Sequence, residues 1–266
     1  PIHTKTISNS RTPPQFRIQQ KTTILNIEIK SEHVDCRSIN GRYVDREYII
    51  ARAKLKADTS EYTLIYGEAK KIAGKVSPNA ANTPNLVRDG CRLIEDALGG
   101  VIAEKAWIQF INMHFGDIAK PTKFISADGQ IDIILNNSET AEIRSSFPRK
   151  GVRFGICSDN HNFKNIGPYH SSVKLGETQK NLYLGVLFET QKTKLLRSKQ
   201  IDLALVGGST WSMMENTGTN SSLIPEGATN QKQATYRVIR YADALDAWQI
   251  LQEIEKMGYP RIRRED

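Results

Sequence analysis

The chain opens on a stretch with little apolar periodicity. Residues 1–23 contain Pro13-Pro14, several Ser and Thr, and the cations Lys5, Arg11, Arg17 and Lys21; the first acidic residue is Glu28. A terminus of one charge sign and few apolar residues is expected to be a flexible basic arm that orders on contact with a partner. It precedes an expected single globular α+β domain over 24–266. The pattern then changes to short β-branched runs. Residues 24–29 and the alternating 50–56 predict strands. Glu61 to Glu68, EYTLIYGE, follows a turn signal at Asp58-Thr59-Ser60 and completes an expected hairpin.

A helix is expected near 85–110. Val87, Cys91, Ile94, Leu98 and Val101 recur at three-to-four spacing, with Asn85 as the N-cap. Gly99-Gly100 marks a stop or a kink. Strand-like segments follow at 130–135, 152–156, 182–188 and 201–206. The run 182–188 is nearly all apolar, which predicts burial on both faces. Residues 209–233 read as a long polar loop. A second helix is expected near 241–257, with Leu245, Trp248 and Leu251 toward the core and Gly258 and Pro260 ending it. Strands outnumber helices and do not alternate regularly with them. The expected class is therefore α+β: a mostly antiparallel or mixed β-sheet with about two main helices.

The totals narrow the function classes. With 266 residues, 39% of them hydrophobic and 25% charged, the chain can bury a core without disulfides or a structural metal. Cys36, Cys91 and Cys157 are odd in number and far apart, so no complete disulfide framework is expected, and small buried thiols in a reducing compartment are. No apolar run approaches the roughly 18 residues of a membrane span. Nothing near the start resembles a secretion signal, so an intracellular or virion location is expected. The net charge of +8 points to a polyanionic partner, nucleic acid foremost.

Two constellations could carry chemistry. The first is Asp58 with Glu68-Ala69-Lys70. On a strand, Glu68 and Lys70 would share a face; Asp58 and Glu68 could hold Mg²⁺, and Lys70 could orient or deprotonate a metal-bound water. Over about a dozen residues this resembles the PD-(D/E)xK nuclease pattern, although no proline precedes Asp58. The second is Asp132 with Glu142-Ile143-Arg144, preceded by Glu95 on the expected helix. Its order of helical Glu, apolar strand with Asp, then E-x-basic is closer to that nuclease topology. Arginine replaces the lysine there and is too basic to take a proton.

Other polar groups are read more simply. Cys157-Ser158-Asp159-Asn160-His161 is expected to be a polar turn. Gly207-Gly208-Ser209-Thr210 is expected to be a strand exit, since no lysine follows to make a phosphate loop. Lys192, Lys194, Arg197 and Lys199 cluster, and Arg237 and Arg240 lie beside Tyr236 and Tyr241. With the four cations of the arm, these are the expected nucleic-acid contacts. The leading expectation is a nucleic-acid-binding protein that self-assembles as a homo-oligomer, of coat, matrix or nucleocapsid type, with no cofactor. The alternative is a Mg²⁺-dependent endonuclease acting through Asp58, Glu68 and Lys70.

Overall fold

The computed structural model describes residues 24–37, 43–76, 78–80, 83–123, 131–148, 157–158, 161–170, 179–223 and 234–262. The arm cations Lys5, Arg11, Arg17 and Lys21, and the expected strand at 152–156, lie outside these. In chain order come β1 (Asn26–Arg37), β2 (Tyr43–Lys56), α1 (Ser60–Ala73), β3 (Asn79–Ala80), β4 (Thr83–Val87) and α2 (Gly90–Phe115). There follow β5 (Ala119–Pro121), β6 (Ile133–Leu135), β7 (Thr140–Ser146), β8 (Cys157–Ser158), β9 (His161–Asn162) and β10 (Lys164–His170). The last are β11 (Leu182–Phe188), β12 (Gln200–Thr210), α3 (Trp211–Asn216), β13 (Thr219–Leu223), β14 (Ala234–Arg240) and α4 (Ala247–Lys256).

The fold is α+β. Seven strands form a mixed sheet in the order β1-β2-β12-β11-β7-β6-β5. Its β11–β7 pair is parallel and its other pairs are antiparallel. One face packs on α1, α2 and α4, with Leu182, Leu184, Val186 and Phe188 of β11 in that core. The other face, with Tyr183 and Leu187, packs on α3 and the small sheet β10-β14-β13. Both faces of β11 are therefore buried, which explains its unbroken apolar run.

Several expectations about elements are corrected. Residues 61–68 belong to α1, not to a hairpin strand. Thr59 caps the helix by accepting a hydrogen bond from the Tyr62 N–H, and Ile65, Ala69 and Ala73 bury at helical spacing. The long helix begins at Gly90, capped by Asp89, because Thr83–Val87 is a strand. It runs unbroken through Gly99-Gly100. At Gly99 a Cβ would stand 2.6 Å from the Phe147 ring, so the missing side chain is what lets helix and sheet approach. The supposed loop at 209–233 contains α3 and β13 in its described part.

The final helix is shorter than expected, since a 3-10 turn occupies Tyr241–Asp243 and α4 starts after Asp246. Asp246 and Gln249 form a reciprocal capping box there. Gly207 has a φ of +89°, and a Cβ on it would meet the Leu245 carbonyl at 2.0 Å. That glycine pair thus serves close backbone packing within a strand that continues to Thr210.

Candidate carboxylate pocket and basic edge

The helix α2 leads directly into the β5–β6–β7 meander, and β11 returns parallel to β7. Between α2, α1 and this meander lies a pocket of ≈ 180 Å³, lined by Ile72, Ala97, Gly100, Val101, Ala103, Glu104, Asp132, Ile143 and Ser145. Two carboxyl groups therefore face one apolar recess. Asp132 reaches it from the position just before β6 begins. Ile133 pairs with Ala141, and the Asp132 N–H donates to the same Ala141 carbonyl at 3.2 Å. The carboxylate Oδ2 accepts from the Ile143 N–H at 2.7 Å.

Burial pushes the Glu104 carboxyl up from its usual value to about 8, and the Asp132 charge adds to the effect. Lys105 opposes the shift and Glu68 reinforces it. Lys105 Nζ lies 3.1 Å from Glu68 Oε2, which ties α2 to α1 beside the pocket. A carboxyl group held protonated near neutrality by burial and a like charge, in a recess, marks a candidate functional site.

The two sequence constellations are each split by the fold, and parts of both meet here. Glu68 and Lys70 lie on a helix, so they do not share a face. Lys70 Nζ sits 4.6 Å above the Tyr66 ring, and Asp58 is exposed in the turn before α1. Asp132 reaches the pocket, but Glu142 and Arg144 leave β7 toward the other face. There Glu142 lies 3.0 Å from both Arg144 Nη2 and Lys180 Nζ and is 6% exposed. Glu95 does not line the recess; Glu104, nine residues on, does. Glu104 was not singled out from sequence. The available signal was that it continues the Ala97, Gly100, Val101 stripe along one face of the helix.

The expected nucleic-acid contacts divide as well. Lys192, Lys194, Arg197 and Lys199 lie in the β11–β12 connection. Lys192 Nζ is 2.7 Å from Asp96 Oδ1 and lies over the Phe147 ring, whereas Lys194, Arg197 and Lys199 are exposed. Arg237 is committed internally, donating to the Met214 and Glu215 carbonyls at 2.7 Å each. Arg240 stands opposite Lys164 in the small sheet, half-buried. Tyr241 is a core residue, and Tyr236 is half-buried on β14. Cys91, expected to be buried, is an exposed free thiol at the start of α2.

Among the described residues no group of three or more His, Cys, Asp and Glu side chains is placed to hold a metal ion. Glu104 and Asp132 both line the recess, and Mg²⁺ keeps several waters and needs only one or two protein carboxylates. Among the same residues no helix is long and apolar enough to cross a membrane. No family model matches the chain, and no curated protein or solved structure is significantly similar to it.

Proposed function

We propose that the chain acts on nucleic acid as a Mg²⁺-dependent phosphodiesterase of endonuclease type, with Glu104 and Asp132 holding the metal. The observation that supports this is their convergence in one recess of a helix–meander–parallel-strand unit, with Glu104 pushed to about 8. A cation between the two carboxylates would relieve their repulsion and restore Glu104 to its charged form. When bound, Mg²⁺ supplies Lewis-acid polarisation of the scissile phosphate and a more acidic water. The chain's own residues fix the geometry. The Ile143 N–H orients Asp132, Lys105 stands beside Glu104, and Ile72, Val101 and Ile143 keep the recess apolar. The net charge of +8 favours a polyanionic substrate.

A second reading, binding without cleavage in a self-assembling structural role, has its own support. On the pocket face β7 presents Ile143 and Ser145, not a third carboxylate and a basic side chain. Incubation with labelled DNA and RNA, in Mg²⁺ or EDTA, separates the two. Mg²⁺-dependent cleavage that Asp132→Asn lowers at least a hundredfold, with binding retained, supports the phosphodiesterase. Salt-sensitive binding with no cleavage, and particles larger than a monomer on sizing, supports the structural role.

A further inference from the structure

We infer that the nucleic-acid backbone is held by a strip of five cations at one end of the central sheet: Lys54 and Lys56 of β2, with Lys194, Arg197 and Lys199 of the β11–β12 connection. This rests on the nucleic-acid reading above but not on cleavage.

The strip joins segments far apart in sequence. Strand β12 pairs with β2 so that Gln200 stands opposite Lys56 and Asp202 opposite Lys54. The Ala57 N–H donates to the Lys199 carbonyl at 2.9 Å, which ties the connection to the end of β2. The ledge is ordered from within. Leu195 is fully buried, the Tyr62 hydroxyl donates to its carbonyl at 3.4 Å, and a 3-10 turn spans Lys192–Lys194. Pinning Leu195 inward leaves Lys194, Arg197 and Lys199 exposed, as Lys54 and Lys56 are.

Charge decides the occupant. Among the described residues none of the five cations takes part in an ion pair, whereas other cations nearby do: Arg52 is held by Glu32 and Glu189, and Lys192 by Asp96. The acids described at this end are Glu28, Asp58, Glu61, Glu189 and Asp202, of which Glu28 is paired with Lys30 and Glu189 with Arg52. The Ser60 hydroxyl donates to Glu61, and Gln200 donates to Asp202. Cations are therefore in excess and can meet phosphates. Lysines two apart on a strand are about 6.7 Å apart, close to the axial rise of two nucleotides along one nucleic-acid strand. At the far side of the strip Asn26, two residues from the start of the described chain, pairs with Lys54.

The test is binding of labelled single- and double-stranded oligonucleotides by anisotropy, in EDTA so that cleavage plays no part, across a salt series. The variant carries Lys54→Gln, Lys56→Gln, Lys194→Gln, Arg197→Gln and Lys199→Gln. A control carries Lys71→Gln, Lys75→Gln, Lys120→Gln and Lys123→Gln, all exposed and away from the strip. Circular dichroism and the urea midpoint confirm that both fold. The strip variant is expected to bind at least about tenfold more weakly at 0.1 M salt. Its slope of log K against log salt should be shallower by about 0.7–0.9 for each phosphate that the protein no longer neutralises. The control should keep the wild-type slope. Equal weakening in the two variants, or an unchanged strip variant, overturns the inference while leaving nucleic-acid binding intact. Wild-type protein that binds no oligonucleotide at low salt overturns the nucleic-acid reading itself. Tighter binding to anionic phospholipid vesicles than to oligonucleotides overturns the choice of occupant.

Discussion

Strand β7 has carboxyl groups on both of its sides, and they are treated in opposite ways. Toward the small sheet, Glu142 is 6% exposed and sits between Arg144 and Lys180, each at 3.0 Å. Toward α2, Glu104 has a carboxylate neighbour, Asp132, and its proton is held up to about 8. A buried carboxylate flanked by two cations is compensated in charge, and removing it takes away the negative charge those cations face. A half-buried carboxyl raised by desolvation, and further by a like charge, is poised to exchange its proton for something positive. The contrast separates a structural cluster from a candidate working site, although the E-x-R motif belongs to the former.

The largest expected effect breaks the structural side. Glu142→Ala leaves Lys180, 2% exposed, without its carboxylate, and should cost about 3–5 kcal/mol of stability. Urea unfolding measures this; a loss under about 1 kcal/mol would remove the contrast. Next is the spacing between helix and sheet. Gly99→Ala drives a methyl into Phe147, whose ring is buried and stacked on Phe188 at 4.3 Å. It should cost about 1–3 kcal/mol, read from the same unfolding curves.

The pocket side is sharpened by pH. Glu104 titrates near 8 in the folded chain and near its usual 4.5 when unfolded. Between those values the folded state holds the extra proton, so this group's contribution is full below 4.5 and declines as pH rises to about 8. Unfolding midpoints in EDTA should fall across that window, and Glu104→Gln should flatten the decline. Mg²⁺ affinity should rise with pH over the same range, because the metal needs the ionised form. Calorimetry showing pH-independent Mg²⁺ binding would exclude Glu104 as a ligand.

The smallest effect concerns the first motif. Lys70→Ala removes one exposed cation–π interaction with Tyr66, worth about 0.5–1 kcal/mol. Any Mg²⁺-dependent cleavage should be unchanged, because Lys70 does not line the pocket. A large fall in cleavage rate would return Lys70 to the site.

What local pattern alone determined was considerable. The all-apolar run at 182–188 is a strand buried on both faces, residues 26–29 and 50–56 are strands, and the Leu98–Val101 stripe is buried helix. Each follows from periodicity, which is a property of neighbouring residues. Residues 61–68 satisfy two periods at once: Tyr62, Leu64 and Tyr66 alternate, while Tyr62, Ile65 and Ala69 recur helically. Tertiary packing chose the second, burying Ile65 and Ala69 and leaving Leu64 74% exposed. The site was decided later still. Which carboxylate faces the pocket depends on sheet register, since a shift of one residue sends a side chain to the other face. Glu104 and Asp132 are brought together by chain reversal, and Lys54 meets Asp202 only through strand pairing. Those proximities are fixed by the whole fold, because no local sequence pattern encodes which distant segment a strand or helix will lie against.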